Sequence, residues 1–155
     1  MSLQPSHDNP LDHDLLAELN RDLAAVVEST VDSIEGADHA AVSLVGSSLP
    51  LITTSAVAEL LEGAQRCASE GPTLDAGRSG VITRINYLSD GLWPTFGTAC
   101  SECKIRSVAA FPLTEGSTTV GVLTLYSSDH HAFGAPELRT GRTAAVEMTR
   151  LLHDR

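Results

Sequence analysis

Apolar residues recur at three- and four-residue steps from Leu15 to Ile34, through Leu16, Leu19, Leu23, Val26, Val27 and Val31, while Asp14, Glu18, Arg21, Asp22, Glu28 and Asp32 occupy much of the opposite side. This period predicts an amphipathic helix of about six turns from residue 13, ended by Gly36. Its length exceeds what one small sheet needs, so part of the stripe is expected to meet another subunit. Short apolar and β-branched runs at 40–45 and 49–53, separated by Gly46, Ser47 and Ser48, predict a hairpin. Ser55 is a cap for a helix through Cys67, with Val57, Leu60, Leu61, Ala64 and Ala68 on one broad side. The stretch EGPTLDAGRSG at 70–80 reads as a loop, rich in Gly, Pro and small polar residues, that leads into a strand at 81–85. Pro94 opens a short helix to about Cys103, and the strongest strands, 107–113 and 118–127, are joined in hairpin fashion. Gly134, Pro136 and Glu137 open a last helix carrying Leu138, Gly141, Ala145, Met148 and Leu152 at three-four spacing.

The order helix, two strands, helix, loop, strand, short helix, two strands, helix fits an α+β fold with an antiparallel sheet flanked by helices, rather than a doubly wound parallel sheet. Residues 1–12, with Pro5 and Pro10 and no periodicity, are expected to be a flexible tail ahead of one domain at 13–155.

Composition narrows the function classes. The chain has 155 residues, 42% hydrophobic and 19% charged, with a net charge of −10. Residues 1–75 contain 13 acids and 2 bases, residues 76–155 only 7 acids and 8 bases, so the acidity belongs to the front half. That sign repels phosphate backbones, and Arg84, Lys104 and Arg106 form no aromatic-interleaved basic stripe, so direct nucleic-acid binding is not expected. Absence of an apolar leader and of any long apolar run predicts a cytoplasmic protein with no membrane contact. The three cysteines, Cys67, Cys100 and Cys103, are expected to be reduced.

The segments GADHAAVSLV (36–45), EGPTLDAGRSG (70–80), SDGLWPTFGTAC (89–100), IRSVAAFPLTEGSTTVGVLTLYS (105–127) and HHAFGAPEL (130–138) together resemble a GAF domain, of the actinobacterial type found ahead of an RNA-binding ANTAR output domain. The resemblance implies an α/β sandwich. A central antiparallel sheet would carry a pocket covered by a loop and short helix on one face, and the long terminal helices, which commonly make dimers, on the other. It implies a sensory or regulatory domain that binds a small molecule or a protein partner. Thr73 stands where members of this type often have a cysteine, which removes thiolate chemistry from that loop. The chain stops at Arg155, so no ANTAR module is expected and a signal would pass through a homodimer or a separate output protein. NKFDE-type residues of cyclic-nucleotide binders are not evident.

Tyr87, Trp93, Phe96 and Phe111 flank the region where the resemblance puts the pocket and either enclose a planar ligand or close a small core. Thr73, Asp75 and Arg78 are candidate polar contacts of the same ligand, whose identity and cofactor class stay open. The glycines at 71, 77 and 80 match no phosphate-binding spacing. Cys100 and Cys103 form a C-x-x-C pair near a helix end rather than its start, the wrong place for a dipole-activated thiol, and a metal site would need two more ligands, with Cys67, His130 and His131 the available residues. The chain is therefore expected not to be an enzyme. The free methionine sulfoxide reductases of the same family supply the alternative, and a ligand-free dimerisation domain a second one. A dimer would be built from Leu16, Leu19, Leu23 and Val26 of the first helix with Leu138, Ala145, Met148 and Leu152 of the last.

Overall fold

The computed structural model of the protein describes residues 10–88 and 92–154, with side chains from residue 14 onward. Helix α1 (Pro10–Ser33) precedes strands β1 (His39–Leu44) and β2 (Ile52–Thr53), helices α2 (Ala56–Ala68) and α3 (Pro72–Ser79), strand β3 (Thr83–Ile85) and helix α4 (Pro94–Glu102). Strands β4 (Ser107–Glu115) and β5 (Thr118–Ser127) and helix α5 (Ala135–His153) complete it. Among the described residues, five strands form one sheet in the order β2-β1-β5-β4-β3, every neighbouring pair antiparallel. The fold is thus the α+β antiparallel sheet flanked by helices that the hydrophobic pattern predicts.

Three expectations change. The helix α1 begins at Pro10, a residue suited to a first helical turn, so 10–12 are not tail; residues 1–9 lie outside the described residues. The stretch 70–80 is not a loop but contains α3. Its glycines and proline mark the helix ends: Gly71 (φ +130°) precedes it, Pro72 starts it, and Gly80 (φ +70°) closes it with its N–H on the Ala76 carbonyl. In α2 the inward arc is Ala58, Leu61, Glu62 and Gln65, whereas Leu60 is exposed.

Successive residues of each strand face opposite sides. Ala40, Val42, Ala109, Phe111, Leu113, Leu123 and Leu125 face α1 and α5 and join Leu19, Leu23, Val27, Ala144, Ala145 and Met148 in the main core. Four of the residues expected at a dimer contact, Leu19, Leu23, Ala145 and Met148, are therefore buried inside this chain, and Val26, Leu138 and Leu152 pack partly buried against them. The two helices jointly cover one sheet face, which consumes their apolar stripes. Leu16, with Leu15, is what α1 leaves exposed. Helix α5 comes close to β4 because Gly141 has no side chain; a Cβ there would lie 2.2 Å from the Phe111 ring.

Candidate functional site

On the opposite face, Ser43, Thr124 and Tyr126 point from β1 and β5 toward α2 and α3. Ser55 Oγ caps α2 by accepting from Ala58 N at 3.1 Å, and the turn thus fixed carries Glu62 and Gln65, one turn apart, inward. Polar residues hold these inward positions because every polar end finds a partner there.

Glu62 is 1% exposed. Its Oε1 accepts from Ser43 Oγ at 2.9 Å. Its Oε2 accepts from Thr73 Oγ1 at 2.9 Å, from Gln65 Nε2 at 3.3 Å and from the Tyr126 hydroxyl. Gln65 Nε2 lies 3.0 Å from the Tyr126 oxygen and 3.2 Å from Thr73 Oγ1, and Gln65 Oε1 accepts the Thr73 backbone N–H at 2.8 Å. With the Thr73 proton on Glu62, the 2.7 Å contact between Thr73 and Thr124 has Thr124 as donor. Thr73 thereby ties α3 to α2 and β5 together.

All four donors to the Glu62 carboxylate are neutral groups. Neutral hydrogen bonds satisfy its lone pairs but supply no opposite charge, so taking it out of water remains a net cost against apolar packing. Burial, followed by the Glu62 charge and its hydrogen bond, holds the Tyr126 phenol well above its ordinary range.

The Tyr126 ring also belongs to an adjoining apolar cluster with Ala41, Ala58, Leu61, Trp93, Phe96 and Cys100. Trp93 and Phe96 meet edge to face, centroids 6.0 Å apart at 79°. Helix α4 is pinned over them by Glu70, whose carboxylate accepts the free N–H groups of Thr95 at 2.8 Å and Phe96 at 3.3 Å.

The structure therefore brings together only some of the sequence candidates. Thr73 sits in the polar cluster, and Trp93 and Phe96 close the apolar one beside it. Phe111 lies across the sheet under α5. Tyr87 is exposed and stacks on His130 at 4.6 Å. Asp75 is half-buried on α3, and Arg78 is exposed in its last turn. Sequence reasoning missed Ser43, Glu62, Gln65, Thr124 and Tyr126; the available signal was a Glu and a Gln spaced three apart on the inward arc of α2. A separate groove of about 540 Å³ opens outside α4, lined by Leu88, Trp93, Lys104, Arg106 and His130 among others. Among the described residues no group of three or more His, Cys, Asp and Glu is placed to hold a metal ion, and no helix is long and apolar enough to cross a membrane.

The cysteines are free: Cys67 exposed on α2, Cys100 buried in α4, Cys103 half-buried after it. Burial, then the neighbouring Cys103, pushes the Cys100 thiol up to about 12, leaving roughly one molecule in ten thousand as thiolate at pH 8. Iodoacetamide at that pH should label Cys67 in the folded protein and spare Cys100, as read by peptide mass. Cys100 and Tyr126 both keep their protons to higher pH when folded than when unfolded. Between pH 9 and about 12 the unfolded chain thus binds fewer protons, so stability falls as pH rises, by up to about 1.4 kcal/mol per pH unit for each group. Urea midpoints measured from pH 8 to 10.5 should show that fall beginning near pH 9.

The GAF domain family model matches residues 20–153. Among solved structures, the GAF domain region of a Geobacter sulfurreducens PCA protein superposes with a TM-score of 0.78 at 16% identity, covering 92% of this chain and 98% of that one. The type II free methionine-R-sulfoxide reductase of Thermoplasma acidophilum gives 0.69 at 12% identity, with 90% and 96% covered. GAF3 of Slr1393 from Synechocystis sp. PCC6803, in its photoproduct state, gives 0.68 at 13%, with 88% and 94% covered. No curated protein matches the chain significantly. These likenesses agree in fold with the sheet and helices described above, and the match over most of its length shows that the chain belongs to the GAF domain family.

Proposed function

We propose that this GAF domain is a sensory module that takes a polar small molecule between the sheet and helices α2 and α3, without catalytic turnover. Glu62, Gln65, Thr73, Thr124, Tyr126 and Ser43 form its recognition set. The observation that carries the reading is the buried Glu62 carboxylate held only by neutral donors, a feature that costs stability and that packing alone does not require. The cover is α3, eight residues between two glycines in the left-handed region, anchored inward through Thr73. Opening it exposes the cluster, and closing it over a ligand changes the position of a surface helix that a homodimer mate or a separate output protein can read. Burial keeps the Cys100 thiol protonated, which makes it a poor attacking group for reductase chemistry. The actinobacterial GAF-ANTAR kinship and a cytoplasmic setting belong to the same reading, carried by the sequence segments that resemble that type.

A thermal-shift screen of polar metabolite-sized compounds tests it, run in parallel on the wild type and on Thr73→Val. The expected result is a compound that raises the wild-type Tm by several degrees and the variant's by much less. Equal shifts in both proteins, or none from any compound, would count against an interior site.

A further inference from the structure

We infer that the chain forms a two-fold dimer in which the exposed start of α1 in each copy lies in a groove beside α5 of the other. This pairing deepens the homodimer arm of the proposed function and uses no residue of the interior cluster, so its failure would leave that site untouched. Two exposed apolar surfaces carry it. Residues 14–18 of α1 are all exposed, because the main core takes the helix only from Leu19 onward. Leu15 and Leu16, 51% and 60% exposed, thus stand on a helix end that projects past the core. The second surface is a groove of about 800 Å³ between α5, β4 and the segment leading into β3. Buried Phe111 lies at its base, and Pro112 with Val81 and Val146, both more than half exposed, line its apolar sides. Leaving both surfaces in water forfeits the free energy that covering them would supply.

Charge and position select a second copy as the occupant. The first 18 residues of the chain hold four acids, Asp8, Asp12, Asp14 and Glu18, and no Lys or Arg. The groove carries Arg142 and Arg150, both exposed and each one turn from Val146 on the same face of α5, while its carboxylate, Glu115, meets His153 at 3.2 Å. An acidic helix end bearing two leucines matches an arginine-edged apolar slot. The chain's own α1 is kept out of it: α1 lies along the flank of α5 that carries Thr140, Thr143 and Glu147, the groove opens on the other flank, and α5 stands between. The two surfaces nevertheless share one end of the molecule. Gly36, just past α1, lies against Ala132, just before α5, whereas the far end of α5 meets the β4–β5 turn through His153 and Glu115. The two helices thus run antiparallel, and the start of α1 and the groove mouth at His153 face the same way. Copies that meet there about a two-fold axis exchange helix ends and make the contact twice, which doubles a small contact toward the roughly 1,600 Å² that stable interfaces bury.

Sedimentation equilibrium of the full chain tests the pairing with Leu16→Glu on the helix end and Val146→Glu in the groove, two exposed positions at which the fold should survive, as thermal melts by circular dichroism would verify. The wild type is expected to be a dimer that weakens as salt is raised, and each variant to dissociate at least about tenfold more readily. Mixing the two variants is the sharper test. In the mixed pair the unaltered α1 of the Val146→Glu copy meets the unaltered groove of the Leu16→Glu copy, so an equimolar mixture should dimerise more tightly than either variant alone. A monomeric wild type, or a dimer indifferent to both substitutions, would overturn the proposal. Loss with Leu16→Glu alone would set the helix ends against each other, loss with Val146→Glu alone would set the grooves face to face, and a mixture no tighter than the single variants would deny the exchange; each of these results contradicts it.

Discussion

Replacing Glu62 by alanine is expected to destabilise the folded protein by about 3–5 kcal/mol, read as a drop in the urea midpoint with an unchanged slope. The loss does not measure an attraction that Glu62 supplies. It arises because the Ser43, Thr73 and Tyr126 hydroxyls and the Gln65 amide, all buried, lose their common acceptor at once. The same reasoning requires strong non-additivity. Removing Tyr126's hydroxyl by Tyr126→Phe in the alanine background should cost far less than in the wild type, since that hydroxyl is already orphaned. Additive losses would mean that the cluster is a set of independent bonds and not one network.

Gly141→Ala is expected to cost about 1–3 kcal/mol or more, although alanine is the better helix former by about 1 kcal/mol at such a position. The new Cβ would stand 2.2 Å from the Phe111 ring. Phe111 is buried in the middle of β4, between the sheet and α5, and cannot swing aside without disturbing the packed main core. Pairing Gly141→Ala with Phe111→Leu should recover part of the loss, and thermal melts of the two single variants and the pair measure it. A neutral Gly141→Ala would show that α5 can shift on the sheet, which the close packing described here does not allow.

The strands and terminal helices were legible because their patterns are long. Residues 118–127 read as a strand and are one, and Leu19, Leu23, Val27 and Ile34 follow the turn of α1 with little ambiguity. What the stripe did not reveal is which surface it meets: an apolar helix face looks the same whether it covers its own sheet or a second subunit, and here the sheet takes most of it. Helix α3 was hidden for a different reason. In eight residues the glycines and proline that cap its ends are a large share of the whole, so end signals looked like loop composition. The functional cluster was hardest to read. Thr73 is legible as a candidate ligand contact, but Glu62, Gln65, Thr124 and Tyr126 are scattered over α2 and β5, and only the folding of α2 and α3 against the sheet joins them to it in one hydrogen-bonded cluster. A polar residue on an inward helical arc is a legible anomaly, but a short helix such as α2 leaves the phase of that arc uncertain by a residue, enough to turn Leu60 inward and Glu62 outward on paper.

Native mass spectrometry of the wild type and Glu62→Gln, each purified without added small molecules, decides whether the cluster around Glu62 is kept to hold a ligand. A non-covalent adduct is expected on the wild type, lost on denaturation and absent or much reduced on Glu62→Gln. An adduct present equally on both proteins would place the ligand elsewhere and contradict it.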